Sequence, residues 1–239
     1  LNFNQRSYQE ELLDRDDIPF ADIKQNLKEL DFINTWLGGH DITIKGFRKL
    51  AGNRKKISVC EIGCGGGDNL KAIHRWAKKK GISLEIIGID IKKDCIDFAK
   101  ENCAQITNAS WICSDYKLAQ LPVKPDIIFS SLFCHHFDDA GVKHIFKWMN
   151  QNSKLGFFNN DLQRHPLAYH SIRILSGLFS GSYMVKNDAP LSVLRGFSKA
   201  ELNSMMKMSL EDGDNIDYSI SWQWAFRWLL TGTRKIAVS

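Results

Sequence analysis

From residue 57 onward the chain alternates short apolar runs with amphipathic stretches of helical period. The runs at 57–62, 84–89, 109–113, 125–130 and 154–159 have strand length and draw on Ile, Val and Phe. Between them, 68–80 places Leu70, Ile73 and Ala77 on one face, 93–102 carries Ile96 and Ala99, and 141–150 continues the series. The central strand at 125–130 is apolar enough to be buried on both faces. Residues 216–222 and 225–231 read as a strand pair, so the whole predicts an α/β fold of Rossmann-like type. Its doubly wound, mostly parallel seven-stranded sheet ends in an antiparallel C-terminal strand.

Two segments lie outside this alternation. Residues 1–50 look helical and form a predicted N-terminal cap. Pro19 suits a first helical turn, and Ile23, Leu27, Leu30, Ile33 and Leu37 recur at helical steps until Gly38-Gly39 stops the pattern. The remainder, 51–239, reads as one domain with an insertion at about 164–197. Inside that insertion, 166 to about 180 is an amphipathic helix carrying Leu167, Ile172, Ile174, Leu175, Leu178 and Phe179. A substrate lid, ordinary core packing and a membrane-surface helix are all consistent with that face. Ser198-Lys199-Ala200-Glu201 is a capping-box signature for a further helix.

The sharpest local feature closes the first strand. Glu61, Gly63, Gly65 and Gly67 form E-x-G-x-G-x-G, leading straight into a helix at Asp68. Glycines there let a ligand approach the main chain, and the helix start supplies free N–H groups. A dinucleotide fingerprint needs its third glycine where this chain has Asp68, an awkward neighbour for a pyrophosphate and a suitable one for a sulfonium or ammonium. In this motif the chain resembles the class I S-adenosylmethionine-dependent methyltransferases, which implies S-adenosylmethionine as cofactor and S-adenosylhomocysteine (SAH) as product.

The other strand ends add candidates. Asp90 closes the second strand, where a carboxylate can accept from both ribose hydroxyls, and Ile91 could pack on the adenine. By resemblance, Asp115 matches the position that binds the adenine amino group, with Tyr116 beside the ring. The fourth strand runs into Ser130-Ser131-Leu132-Phe133-Cys134-His135-His136-Phe137, without the proline motif of base-modifying methyltransferases, and Ser131 falls near the methionine portion. That tail resembles the small-molecule branch, including quinone and polyketide enzymes. Asn160-Asp161-Leu162-Gln163-Arg164-His165-Pro166, Asn34-x-x-Leu-Gly-Gly-His40 and Asp188 to Phe197 together look like the methyltransferases that accompany type III polyketide synthases. The implied reaction is O-methylation of a small phenolic, polyketide or quinone-like metabolite by S_N2 transfer, with carbon or nitrogen acceptors also open.

A phenol would lose its proton to His135, His136 or His165. Adjacent His135 and His136 point opposite ways in extended chain, so at most one is expected to face the substrate. Arg164 and Arg195 are candidates for binding a carboxylate or phenolate, or equally surface arginines. No metal is required by this scheme. A NAD(P)-dependent oxidoreductase and a non-catalytic S-adenosylmethionine-binding module are the competing readings. The first is disfavoured by Asp68 and by the lack of a Tyr-x-x-x-Lys pair.

Composition narrows the rest. Net charge is +5 from 32 basic and 27 acidic residues, without the dense basic block of a nucleic-acid arm. Six cysteines lack C-x-x-C spacing and read as reduced thiols, and no apolar run reaches a membrane span. The expectation is a cytoplasmic enzyme acting on a small molecule, without nucleic acid or stable membrane insertion, and with a homodimer as the oligomer to test.

Overall fold

The computed structural model describes residues 1–15 and 17–235. Helices α1 (Phe20–Trp36) and α2 (Gly39–Ala51) precede β1 (Lys56–Ile62), α3 (Asp68–Lys79), β2 (Ser83–Asp90), α4 (Lys93–Asn102) and β3 (Ala109–Cys113). They are followed by β4 (Ile127–Ser131), α5 (Asp139–Asn152), β5 (Gly156–Leu162), α6 (Pro166–Phe179), α7 (Tyr183–Arg195), α8 (Lys199–Ser209), β6 (Ile216–Gln223) and β7 (Arg227–Arg234). Seven strands form one sheet in the order β3-β2-β1-β4-β5-β7-β6. β1 pairs in parallel with β2 and β4, while β7 is antiparallel to both β5 and β6. This is the doubly wound arrangement the alternation predicts.

Each face of the sheet has its own core. On one face Phe47, Leu70, Ile73, Phe129 and Phe158 pack together, with the Phe129 and Phe158 rings stacked at 4.7 Å. On the other, Ile62, Ile87, Ile128, Phe146, Phe157 and Met205 bury α5 and α8. A third cluster of Ile23, Leu27, Cys95, Phe98 and Met184 ties α1 to α4 and α7. Thus the helices outside the alternation are anchored over the carboxyl ends of the strands.

Some boundaries move, each for a local reason. Pro19 precedes the first helical residue rather than entering it, and Gly38 takes φ 73° so that α2 begins at Gly39. The second strand of the C-terminal pair starts at Arg227, because Ala225 (φ 61°) and Phe226 (φ 56°) turn the hairpin. Helix α7 has no counterpart in the periodicity, since Pro190 lies inside it and its apolar residues follow no single face. The capping box at Ser198 and Glu201 forms as its sequence implies. All six cysteines are unpaired. Among the described residues, no helix is long and apolar enough to cross a membrane.

Candidate functional site

Two cavities open side by side above the carboxyl ends of β1, β2, β4 and β5. The first, of about 280 Å³, is built by the glycine turn and the ends of the neighbouring strands. Gly63, Gly65 and Gly67 all take positive φ, at 66°, 49° and 76°. At Gly63 a Cβ would stand 2.1 Å from the Phe133 ring, and at Gly67 it would stand 2.8 Å from Trp111. The first glycine therefore admits the tail of β4, whereas the last allows α3 to close on the sheet and does not line the cavity. Asp90 Oδ2 accepts the Gly65 N–H at 2.9 Å and Oδ1 accepts that of Lys92 at 2.9 Å, leaving one lone pair on each oxygen. Burial raises the Asp90 carboxyl above its ordinary range.

Glu61 is nearly fully buried beneath this cavity. Asn69 donates to its Oε1 at 3.0 Å, while Oε2 has no partner among the described residues. Burial pushes its pKa well up, and a donor or a cation beside it is what would let it ionise. His40, from the Asn34 to His40 motif, bridges Asp31 and Asn69 and so holds that amide in place. The wall carries Asp14, Asp31, Glu61, Asp68 and Asp90 against Lys92. A cavity of that sign suits a ligand bearing a sulfonium and an ammonium and repels a pyrophosphate, which disfavours a nicotinamide dinucleotide. Ile91 and Ser131 line the same space, with Ile91 largely exposed at its rim. The residues present fit S-adenosylmethionine.

The second cavity, of about 350 Å³, lies under α6 and α7 and against α1. Its walls are mainly apolar, with Leu30, Ile33, Leu162, Ile172, Leu175 and Val193 among them. Five residues, Leu13, Leu30, Asn34, Leu132 and His136, line both cavities, so the two meet there. The non-glycine residues with positive φ, Leu132, Ala225 and Phe226, all line this second cavity. Backbone strain is thus gathered where a ligand would sit.

His135 and His136 both face the second cavity, contrary to the opposed geometry of an extended chain. The segment Cys134–His136 forms a single 3₁₀ turn, which puts the two rings 4.3 Å apart at 32°. Asp161, fully buried at the end of β5, lies 2.7 Å from His135 Nδ1. As a carboxylate only accepts, it fixes the Nδ1–H tautomer and leaves Nε2 with its lone pair. Burial opposes ionisation of Asp161, but the attraction of the His135 imidazole and its hydrogen bond, aided by the Leu162 N–H, hold its carboxyl below the usual range. His135 Nε2 is 3.6 Å from Glu11 Oε1, and His136 Nδ1 is 2.7 Å from Asp14 Oδ1. Glu11 is 2 % exposed and burial raises its pKa to about 7. Glu11, His135 and His136 offer ligand atoms within 4.8 Å of one another, a donor set a divalent cation accepts. The Arg195 Nε, 3.5 Å from Glu11 Oε1, already offsets the carboxylate's charge.

Several residues proposed from sequence lie elsewhere. Arg164 lines neither cavity: it donates to the carbonyls of Phe3 and Gly196 and to Glu201. Arg195 donates to the carbonyls of His135, His136 and Gln9 and to Asp14, so it braces the histidine turn from behind. His165 caps α6 by accepting the Leu167 N–H and stacks on Phe226, outside both cavities. Asp115 accepts the Lys117 N–H within its own turn, and Tyr116 is buried between Trp148 and Phe137 with its hydroxyl on His144. Neither lines the first cavity; they follow β3, a five-residue strand at the sheet edge.

The helix α6 divides its apolar residues. Ala168, Ile172 and Leu175 face the second cavity, while Leu167, Ile174, Leu178 and Phe179 are exposed. Sequence reasoning missed Glu11, Asp14 and Arg227, and it quoted Asp161 and Asn34 without a role. Position alone could have found Asp161, an acid at a strand's carboxyl end; Glu11 and Arg227 carry no local signal.

Comparison with known proteins agrees with this geometry. Residues 59–156 match the model of a methyltransferase-domain family. No curated protein matches the chain in sequence. In fold, it is similar to the plantazolicin methyltransferase BpumL in complex with SAH, with a TM-score of 0.67 and 16% identity over 92% of both chains. It is also similar to a possible exported protein from Bordetella parapertussis, at TM-score 0.62 and 14% identity, over 83% of this chain and 68% of that one. Magnesium protoporphyrin IX methyltransferase from Synechocystis, with bound SAH, has TM-score 0.51 and 15% identity, over 92% of this chain and 90% of its own.

Proposed function

We propose that the protein, whose residues 59–156 match a methyltransferase-domain family model, is a class I S-adenosylmethionine-dependent methyltransferase that methylates an oxygen of a small phenolic, polyketide or quinone-like acceptor held beneath α6 and α7. The observation that supports this reading most is the junction of the two cavities at Leu132 and His136. One cavity is acidic and glycine-floored; its neighbour is apolar and carries paired imidazoles. A binding module without catalysis has no need of the second.

S-adenosylmethionine bound there would supply an electrophilic methyl carbon to the acceptor oxygen, with SAH as the other product. Asp90 would hold the ribose hydroxyls, and Glu61 would meet the cationic end through its unpartnered oxygen. His135 accepts the acceptor's hydroxyl proton at Nε2, with Asp161 fixing the ring and stabilising the imidazolium that forms. His136, at the junction, orients the acceptor oxygen, and Arg195 keeps the turn that carries both rings in place. The apolar walls exclude water and align the two reactants.

The test combines binding and turnover. SAH and S-adenosylmethionine should raise the unfolding midpoint and NADH should not, since about a hundredfold excess over Kd stabilises by about 2.7 kcal/mol. Methyl transfer to a panel of phenolic acceptors should fall at least a hundredfold in His135→Ala, fall less in His136→Ala, and persist in His165→Ala. Stabilisation by NADH alone would end the reading. Full turnover in His135→Ala would remove that residue from it.

A further inference from the structure

The second cavity holds a charge that the reaction as described does not use. Arg227, the first residue of β7, is 3 % exposed and lines that cavity. Its Nη2 donates to Asn34 Oδ1 at 2.7 Å, but Nε and Nη1 have no hydrogen-bond partner among the described residues. No described carboxylate forms an ion pair with it; Asp161, the acid whose field reaches it, is committed to His135. Burial lowers its pKa to about 10, where it still carries its proton at neutral pH.

An unpaired guanidinium in an apolar wall is among the costliest arrangements a fold can keep. Its surroundings are arranged to keep it. A Cβ at Gly39 would stand 2.9 Å from Asn34 Oδ1 and 3.2 Å from Arg227 Nη1, so the second glycine of Gly38-Gly39 leaves room for the pair. The strained turn at Ala225 and Phe226 immediately precedes it. Asn34 takes Nη2 and leaves the N–H groups of Nε and Nη1 without an acceptor among the described residues. Unpaired N–H donors on a permanent cation are what a carboxylate accepts from. Asn26, also nearly fully buried on the same cavity, has both amide atoms unpartnered and could complete such a site.

We propose that the methyl acceptor carries a carboxylate that accepts from the unpartnered N–H groups of Arg227, so that Arg227 selects acidic acceptors over neutral ones. The inference rests on the functional reading above only for which group of the acceptor is methylated. Apolar walls on the remaining sides fit an aromatic or alicyclic body between the acid and the reacting oxygen.

The experiment uses the full chain saturated with SAH. The probes are 4-hydroxybenzoate and 6-hydroxy-2-naphthoate, each against its neutral carboxamide, followed by calorimetry and by thermal unfolding. At least one carboxylate should bind ten times or more tighter than its amide, and Arg227→Met should abolish that preference while leaving the SAH shift intact. Without any probe, Arg227→Met should unfold at or above the wild-type midpoint, because a charge held for a ligand is a burden to the empty fold; a merely structural arginine would lower it. Equal binding of acid and amide to the wild type, binding of neither, or a preference that survives in Arg227→Met would each overturn the proposal. If Arg227→Met does not fold, the role is structural unless the wild-type preference is present and is lost in Arg227→Gln. A missing SAH shift would instead sink the methyl-transfer reading itself, so the two failures are separable.

Discussion

The two cavities share a wall and little else. Half of the cofactor cavity comes from one stretch, Glu61 to Cys95, and the rest from the β4 tail, α1 and the segment before it. Its acids are Glu61, Asp68 and Asp90 from that stretch, joined by Asp14 and by Asp31 of α1. The acceptor cavity takes residues from Glu11 to Arg227. Its polar groups, Glu11, Asp161 behind His135, and Arg227, come from three distant elements into an apolar enclosure. The first is a local property of a strand–turn–helix unit, and so can be inherited whole. The second is a property of how the N-terminal segment, α6, α7 and the β6–β7 hairpin close over it, and so can change while the first stays fixed.

That contrast can be broken most severely at Asp161. Asp161→Asn keeps the shape of the β5 end but no longer fixes the His135 tautomer or supports its charge. Turnover should fall roughly 10²- to 10⁴-fold, the range of general acid–base contributions, while SAH affinity measured by calorimetry stays within twofold. A parallel loss of SAH binding would mean that the cavities are one functional unit. The converse variant, Asp90→Ala, removes the acceptor of the Gly65 and Lys92 N–H groups as well as the ribose contact. SAH should bind more weakly by about 1.5–3 kcal/mol, the size of hydrogen bonds to a charged group, with acceptor binding less affected. Unchanged SAH affinity would take the ribose away from Asp90.

The same contrast explains what the sequence made legible. The alternation of strands and helices, the glycine turn and the place of Asp90 at a strand end follow from patterns within a few residues of each other, where backbone sterics and period dictate the outcome. His135 and His136 were visible, yet their mutual orientation depends on a 3₁₀ turn that Arg6 and Arg195 hold by its carbonyls. Arg164 and Arg195 look like anion-binding side chains from sequence, but their donors serve the main chain across long separations. Arg227 looks like one more strand residue, and only the pairing of Leu162 with Arg227 brings it over the cavity. Helix α7 is hidden by Pro190, because propensity speaks against a helix that tertiary packing nonetheless keeps. Long-range closure, then, is what local pattern could not supply.

The smallest expected effect sharpens the comparison from the side of stability. Glu11 is an acid kept in the acceptor cavity at a cost. Its carboxyl titrates near 7 in the fold, because burial outweighs the attraction of His136 and Arg195, against about 4.3 in an unfolded chain. Between those values the folded protein binds more protons than the unfolded one, so the contribution of Glu11 to stability falls as pH rises from about 4.3 to 7. Above 7 the penalty is complete, and below about 4.3 it is absent. Glu11→Gln removes the titration while preserving shape and one acceptor oxygen. Urea unfolding at pH 8 should find the variant more stable by on the order of 1–3 kcal/mol, and at pH 4 the difference should nearly vanish. Turnover should change in the opposite sense if Glu11 helps to draw the proton from His135 Nε2. A variant less stable than the wild type at pH 8 would show that Arg195 and the imidazoles compensate Glu11 fully, making it a structural ion rather than a group held ready on the acceptor's side.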